Sequence, residues 1–185
     1  MVETKQKLAR TLKQLMQTTP VDQITINQLT KHAQVARNTF YYHFTDINQL
    51  LAWLYHQEIV QQLAAYRQEK NWENGLMLLL AYIERNRHFC MNTFSSLSRD
   101  LLSHFLYQVA FDMVTGVIID LAPNCQADLR DEIANFYGWA LATQIEQWLV
   151  TNLAESKQEF YQRMYRMLHG TVTHVIQQNT QFLGK

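Results

Sequence analysis

Residues Arg37 to His43, within the stretch VARNTFYYHF, place an arginine, an asparagine, a threonine, two tyrosines and a histidine in seven consecutive positions around one phenylalanine. These groups share an ability to meet nucleic acid. Arg37 offers a guanidinium fork that fits guanine O6 and N7, Asn38 an amide that pairs with adenine, and Tyr41 a ring that packs on a thymine methyl. Thr39, Tyr42 and His43 carry donors suited to phosphate oxygens, which orient a protein on a duplex without reading its sequence. A second use of the same side chains stays open: both tyrosines and His43 could seal a junction with the helix that follows.

Either use needs a helix, held down on one side. At about 100° per residue, Phe40 and Phe44 fall one turn apart on a single face, which directs them into a small core with Val35, Leu29 and Leu12. The spacing predicts a helix over 36–43, and Arg37, Asn38 and Tyr41 then sit toward its N-terminus, the end that enters a DNA major groove first. Before it, Thr25 is a good N-cap for a short helix over 26–33. Earlier still, Leu8, Leu12, Leu15 and Met16 recur at helical spacing over about 3–17, with Lys5, Lys7, Arg10 and Lys13 on other faces. Pro20 breaks that first helix, because it has no backbone donor and disfavours helix at Thr19. Three helices, the last two short and joined by a tight turn, describe a helix-turn-helix unit. Thr45 or Asp46 then caps a fourth helix whose stripe of Ile47, Leu50, Leu51 and Leu54 runs on toward Tyr66 without a Pro or Gly.

The stretch ITINQLTKHAQVARNTFYYHFTDINQLL resembles the TetR family of bacterial transcription regulators, with Thr39, Phe40, Tyr41, His43, Phe44 and Leu50 matching the family's recognition-helix pattern in register. The resemblance covers about residues 4–55. It implies an all-α fold: an N-terminal three-helix DNA-binding domain, here 1–46, joined by a long helix to a helical bundle for ligand sensing and dimerisation, here 47–185. Carried onto matching positions, it implies base contacts from Arg37, Asn38 and Tyr41, and phosphate contacts from Thr25, Thr39, Tyr42 and His43. Three positions depart from the family pattern, which usually has Gly at Gln34, Ser at Ala36 and Lys at Ile47. A turn without Gly must adopt a geometry that Gln tolerates or accept strain. The missing Ser cap weakens the recognition-helix start by roughly 1 kcal/mol, and Ile47 removes one phosphate-seeking cation. More weakly, FYGWALATQIEQWLVTNLAESKQEFYQ is similar to the C-terminal pattern of the family's DhaS-like branch in Gram-positive bacteria, some members of which act as activators with a protein coactivator and others as ordinary repressors.

The rest of the chain fits this frame. Only two prolines and five glycines punctuate 185 residues, so the turn signals of a many-stranded sheet are missing. Further helices are expected over about 72–86, 88–94, 98–121, 127–151 and 157–179, the last two forming a four-helix interface with a twofold mate. Tyr82, Phe89, Met91, Phe105, Tyr107, Phe111, Met113, Phe136, Trp139 and Trp148 make this portion rich in aromatics and Met. Of these, Tyr82, Phe89, Met91, Tyr107, Phe111 and Trp139 are the candidates to line a pocket for a small apolar effector, with plain core packing as the rival account of each. Formal net charge is zero, yet residues 1–55 carry six Lys or Arg against three Asp or Glu, a balance of +3 that leaves −3 for the remainder. One positive end suits one anionic partner, double-stranded DNA.

Cys90 and Cys125 are too few for a disulfide framework or zinc site, and His169 and His174, five apart, do not share a helix face. No metal, cofactor or catalytic motif is expected. The longest apolar run, Leu76 to Ile83, falls short of the roughly 20 residues of a membrane span, and no leader pattern opens the chain, so the expected location is the cytoplasm. These readings favour a dimeric, ligand-responsive repressor on a palindromic operator. Its rivals are an activator with a protein coactivator, and a helical interaction module that has lost specific DNA binding.

Overall fold

The structure, a computed structural model, describes residues 2–183, and every regular element among them is helical. In chain order these are α1 (Val2–Leu15), α2 (Ile26–His32), α3 (Arg37–His43), α4 (Ile47–Tyr55), α5 (Gln61–Leu63), α6 (Trp72–Arg85), α7 (Arg87–Phe94), α8 (Arg99–Leu121), α9 (Ala127–Val150), α10 (Lys157–Leu168) and α11 (Thr171–Leu183). The expected fourth helix is present in a less regular form. A π turn, His56–Val60, follows α4, and α5 tightens into a 3-10 turn at Ala64–Tyr66.

The chain forms two compact units, each discontinuous in sequence: Met1–Ile59 with Arg85–Phe105, and Val60–Glu84 with Leu106–Lys185. In the first, Leu8, Leu12, Leu29, Phe40, Leu50 and Leu51 are fully buried and Phe44 nearly so, and Val35 is half-buried at their edge. Burying such side chains stabilises by roughly 1.5–3 kcal/mol each, which outweighs the weak helix propensity of segments only seven residues long. Tyr55 extends this core to α7. Its ring stacks on Phe105 at 4.8 Å and meets Phe89 at 5.0 Å, and its hydroxyl donates to Thr93 Oγ1 at 3.0 Å.

In the second unit, Val114, Ile118, Ile133, Ala134 and Ile176 form a buried cluster that joins α8, α9 and α11. On α8, Gly116 lets the chain at Arg67 come close, since a Cβ at that position would collide with the backbone carbonyl of Arg67. By length and composition α8 is apolar enough to cross a membrane. Its Val109, Ala110, Met113, Val114, Val117 and Ile118 are nevertheless buried against protein.

The single helix expected over 157–179 is two helices. His169 is extended (φ −61°, ψ 123°) and Gly170 is left-handed at φ +72°, so the chain changes direction between α10 and α11. Glycine reaches that conformation without a Cβ penalty, and its single position in the run marks the break.

Candidate nucleic-acid interface

Helix α3 is held by a turn whose geometry is explicit. Val35 N donates to Thr30 O at 3.0 Å and Gln34 N to Lys31 O at 3.2 Å, the paired bonds of a Schellman motif at the end of α2. The residue between must be left-handed, and Gln34 sits at φ +50°. The turn has therefore kept the backbone path that favours glycine and carries a side chain through it. At the start of α3, Ala36 is the N-cap and contributes no side-chain bond, as its methyl requires. The flanking helices are better served. Thr25 Oγ1 accepts from Gln28 N at 3.1 Å, and Asp46 Oδ1 accepts from Gln49 N at 2.7 Å while Gln49 Oε1 accepts from Thr45 N at 2.7 Å.

With Phe40 and Phe44 buried, the rest of α3 faces outward. Arg37 and Asn38 are exposed, Tyr41 is 46 % exposed, Tyr42 is 73 % exposed, and Thr39 and His43 are half-buried. Arg37 does not hang free. Its Nη1 donates to Asn27 Oδ1 at 2.8 Å, its Nη2 donates to the Tyr41 hydroxyl at 3.1 Å, and its guanidinium lies 5.5 Å from the Tyr41 ring centre. Tyr41 in turn rests edge-on against Phe40 at 5.6 Å, and Tyr42 meets His43 at 4.9 Å. A buried ring thus supports an exposed ring, which supports the guanidinium. Asn27, the residue on α2 that completes this arrangement, carried no signal in the sequence: it lies ten positions before Arg37 in another helix. Thr25 is exposed at the start of α2, and Ile47, where a cation would have stood, opens α4 half-buried.

The six aromatic and methionine residues expected to line an effector pocket are dispersed. Phe89 is buried and Met91 half-buried in the first unit; Tyr82 is buried in the second. Tyr107, Phe111 and Trp139 do gather, with Tyr107 stacked on Trp139 at 4.4 Å and 5.8 Å from Phe111. The second unit also encloses a cavity of about 60 Å³ lined mainly by Trp72, Met113, Val114, Val117, Tyr137 and Leu168. None of the six belongs to it. Of the wider aromatic and methionine set, Met113 does stand on this wall; Val117 and Leu121 follow it at helical spacing, a period that core packing produces equally. A more open groove of about 620 Å³ runs past Phe136, Trp139, Met164 and Met167.

Comparison with known proteins gives family matches in two separate segments of the chain. Residues 10–54 match the model of "Bacterial regulatory proteins, tetR family", and residues 70–170, more than half of the chain, match "Transcriptional regulator C-terminal region". Over 91 residues the chain is 30 % identical to the HTH-type dhaKLM operon transcriptional activator DhaS of Lactococcus lactis subsp. lactis (strain IL1403), a match spanning 49 % of each chain. A solved structure titled dihydroxyacetone kinase operon activator DhaS superposes with a TM-score of 0.72 over 94 % of this chain and 98 % of that one, at 21 % identity, which establishes a shared fold. One family model covers the helix-turn-helix already described and the other more than half of the chain, and the chain belongs to the TetR family of DNA-binding bacterial transcription regulators.

Proposed function

We propose that the protein binds a palindromic operator as a homodimer, in the cytoplasm, and represses transcription until a small apolar effector changes its affinity. The observation that carries the reading is the support of Arg37 by Asn27 and Tyr41 above the buried Phe40. A guanidinium held in place loses little freedom on pairing with guanine, and such bidentate pairs discriminate by roughly 1–3 kcal/mol. Asn38 and Tyr41 take neighbouring bases; Thr25, Thr39, Tyr42 and His43 take phosphates. The exposed apolar side chains of Phe136, Trp139 and Met167 support dimerisation through α9 and α10, which would set two readers about 34 Å apart on one face of the duplex. The cavity of about 60 Å³ is the starting point for an effector, and it must open to admit one, since ligand pockets usually measure about 300–1,000 Å³.

A second reading, activation of transcription with the help of a protein coactivator, is favoured by one observation: the relative from Lactococcus lactis is named an activator.

Selection from random DNA, followed by salt titration of the winning sequence, tests the common core of both. Enrichment of a palindrome whose log affinity falls with log salt is expected. Arg37→Ala should relax specificity at one base pair per half-site, and Tyr42→Phe should weaken all sequences alike. Weak, indiscriminate binding by the intact chain would favour the interaction-module reading instead. Transcription from the selected operator in vitro separates repression from activation.

A further inference from the structure

Asn92, near the end of α7, uses its whole side-chain amide on the connection between α1 and α2. Its Nδ2 donates to Met16 O and to Thr19 O, and its Oδ1 accepts from Val21 N, each at 2.8 Å. These three backbone groups lie around Pro20, where the chain has left α1 and has no helix to supply partners. Proline removes one donor from the turn, and Asn92 supplies from outside the pairing that the turn lacks.

The contact is not isolated. One residue on, Thr93 receives the Tyr55 hydroxyl at 3.0 Å; beyond the helix, Leu97 N donates to Asp22 Oδ2 at 3.0 Å and Ser98 Oγ donates to Asn48 Oδ1 at 2.7 Å. Residues 92–98 therefore bind the α1–α2 turn, the 3-10 segment at Val21–Gln23, and the start of α4. The turn matters for DNA because α2 begins only five residues after Val21, and α2 carries both Thr25 at its cap and Asn27, the partner of Arg37.

We infer that α7 is a working part of the DNA reader and that Asn92 is its positioning residue: by fixing the α1–α2 turn it sets where α2, and with it the Asn27 and Arg37 pair, stands relative to α1. The inference rests on α3 being the reader.

The test uses the full chain, wild type and variant, against the operator selected by the wild type and against a scrambled duplex at the same salt. Loss of folded fraction scales both affinities by one factor and leaves their ratio alone. Displacement of the reader removes base contacts and keeps phosphate contacts, so the ratio falls. Asn92→Ala is expected to lower the specific-to-nonspecific ratio roughly tenfold, the scale of one base pair misread, with the scrambled-duplex affinity unchanged. Asn92→Asp should lower it further, because its carboxylate keeps the acceptor for Val21 N and faces two carbonyl oxygens without a donor. Asn92→Gln carries the intact amide one methylene too far, displaces the turn instead of releasing it, and lowers the ratio too, which keeps the test available if the alanine variant fails to fold. An unchanged ratio in folded variants overturns the inference. A wild type that prefers no operator overturns the reader assignment itself, and the inference with it.

Discussion

The two compact units differ in what they leave on their surfaces. The first holds nine Lys or Arg against five Asp or Glu, a balance of +4, and the second seven against eleven, a balance of −4. Large exposed side chains differ in kind as well. In the first unit they are Tyr41, Tyr42 and Leu97, and the two on the recognition helix end in hydroxyls. In the second they are Ile119, Phe136, Trp139, Val150 and Met167, nearly all hydrocarbon. A hydrated polyanion rewards cations and hydroxyls, whereas another protein surface rewards apolar area and aromatic anchors. One chain therefore presents a cationic, hydroxyl-bearing face on one unit and an apolar face on the other.

The largest expected effect breaks the first face from below. Phe40→Ala removes a fully buried ring from beneath Tyr41 and should cost about 3–5 kcal/mol in chemical denaturation followed at the first unit. Binding to operator and scrambled DNA should fall together, because the helix itself is lost. The corresponding change in the second unit behaves in the opposite way. Phe136 is 69 % exposed, so Phe136→Glu should leave the monomer's helical content and melting intact. In the homodimer proposed above, a carboxylate buried at this position should nonetheless raise the dissociation constant by at least roughly tenfold, read by analytical ultracentrifugation. A dimer unaffected by Phe136→Glu would separate the apolar groove from self-association.

Much of the helix-turn-helix fold could be read from the sequence because its determinants are local. Thr25 and Asp46 cap helices by their own side chains, Phe40 and Phe44 recur at helical spacing, and each is where that local chemistry placed it. Asn27 and Asn92 could not be found in this way. Asn92 meets its partners across more than seventy residues, and a polar contact at that separation leaves no period and no composition signal. In the second unit the difficulty was the reverse. Aromatic and methionine residues were abundant, and abundance did not say which of them line the cavity and which, like Phe89, simply fill a core. The break between α10 and α11 falls at Gly170, whose positive φ is a backbone choice that a single glycine in a helical pattern permits without announcing.

A smaller effect compares left-handed residues in the two units. Gln34 lies at φ +50° and Asn152 at φ +54°, each at the left-handed position that ends a helix. Gln34→Gly removes a left-handed penalty of about 1–2 kcal/mol and restores roughly 0.4–1 kcal/mol of unfolded-state freedom. A net gain of roughly 0.5–1 kcal/mol in denaturation is expected from those two values. Asn152→Gly should gain less, because Asn already tolerates this region. Equal gains would mean that the Gln34 turn holds no special strain, and the departure from Gly there would be neutral.

The last comparison, which leaves stability at neutral pH untouched, concerns the two thiols, one in each unit. Cys90 is buried beside Tyr55, and burial pushes its thiol up to about 12 against the lowering influence of the Tyr55 hydroxyl and Lys13. Cys125 is half-buried in the turn before α9. Since the thiolate is the reactive form, a disulfide reagent at neutral pH should titrate one thiol per native chain, at Cys125, and two after unfolding. The same shift carries a stability consequence with a definite sign. Below the ordinary thiol value both folded and unfolded chains hold the proton, and the contribution of Cys90 does not vary. Above about pH 9 the unfolded chain releases it while the folded one keeps it, so stability of the first unit falls as pH rises toward 12, and burial of Tyr55 acts in the same direction. Cys90→Ala should flatten that alkaline slope without affecting thiol labelling of the native protein, and a native chain that labels twice at neutral pH would show the core around Tyr55 to be open to solvent.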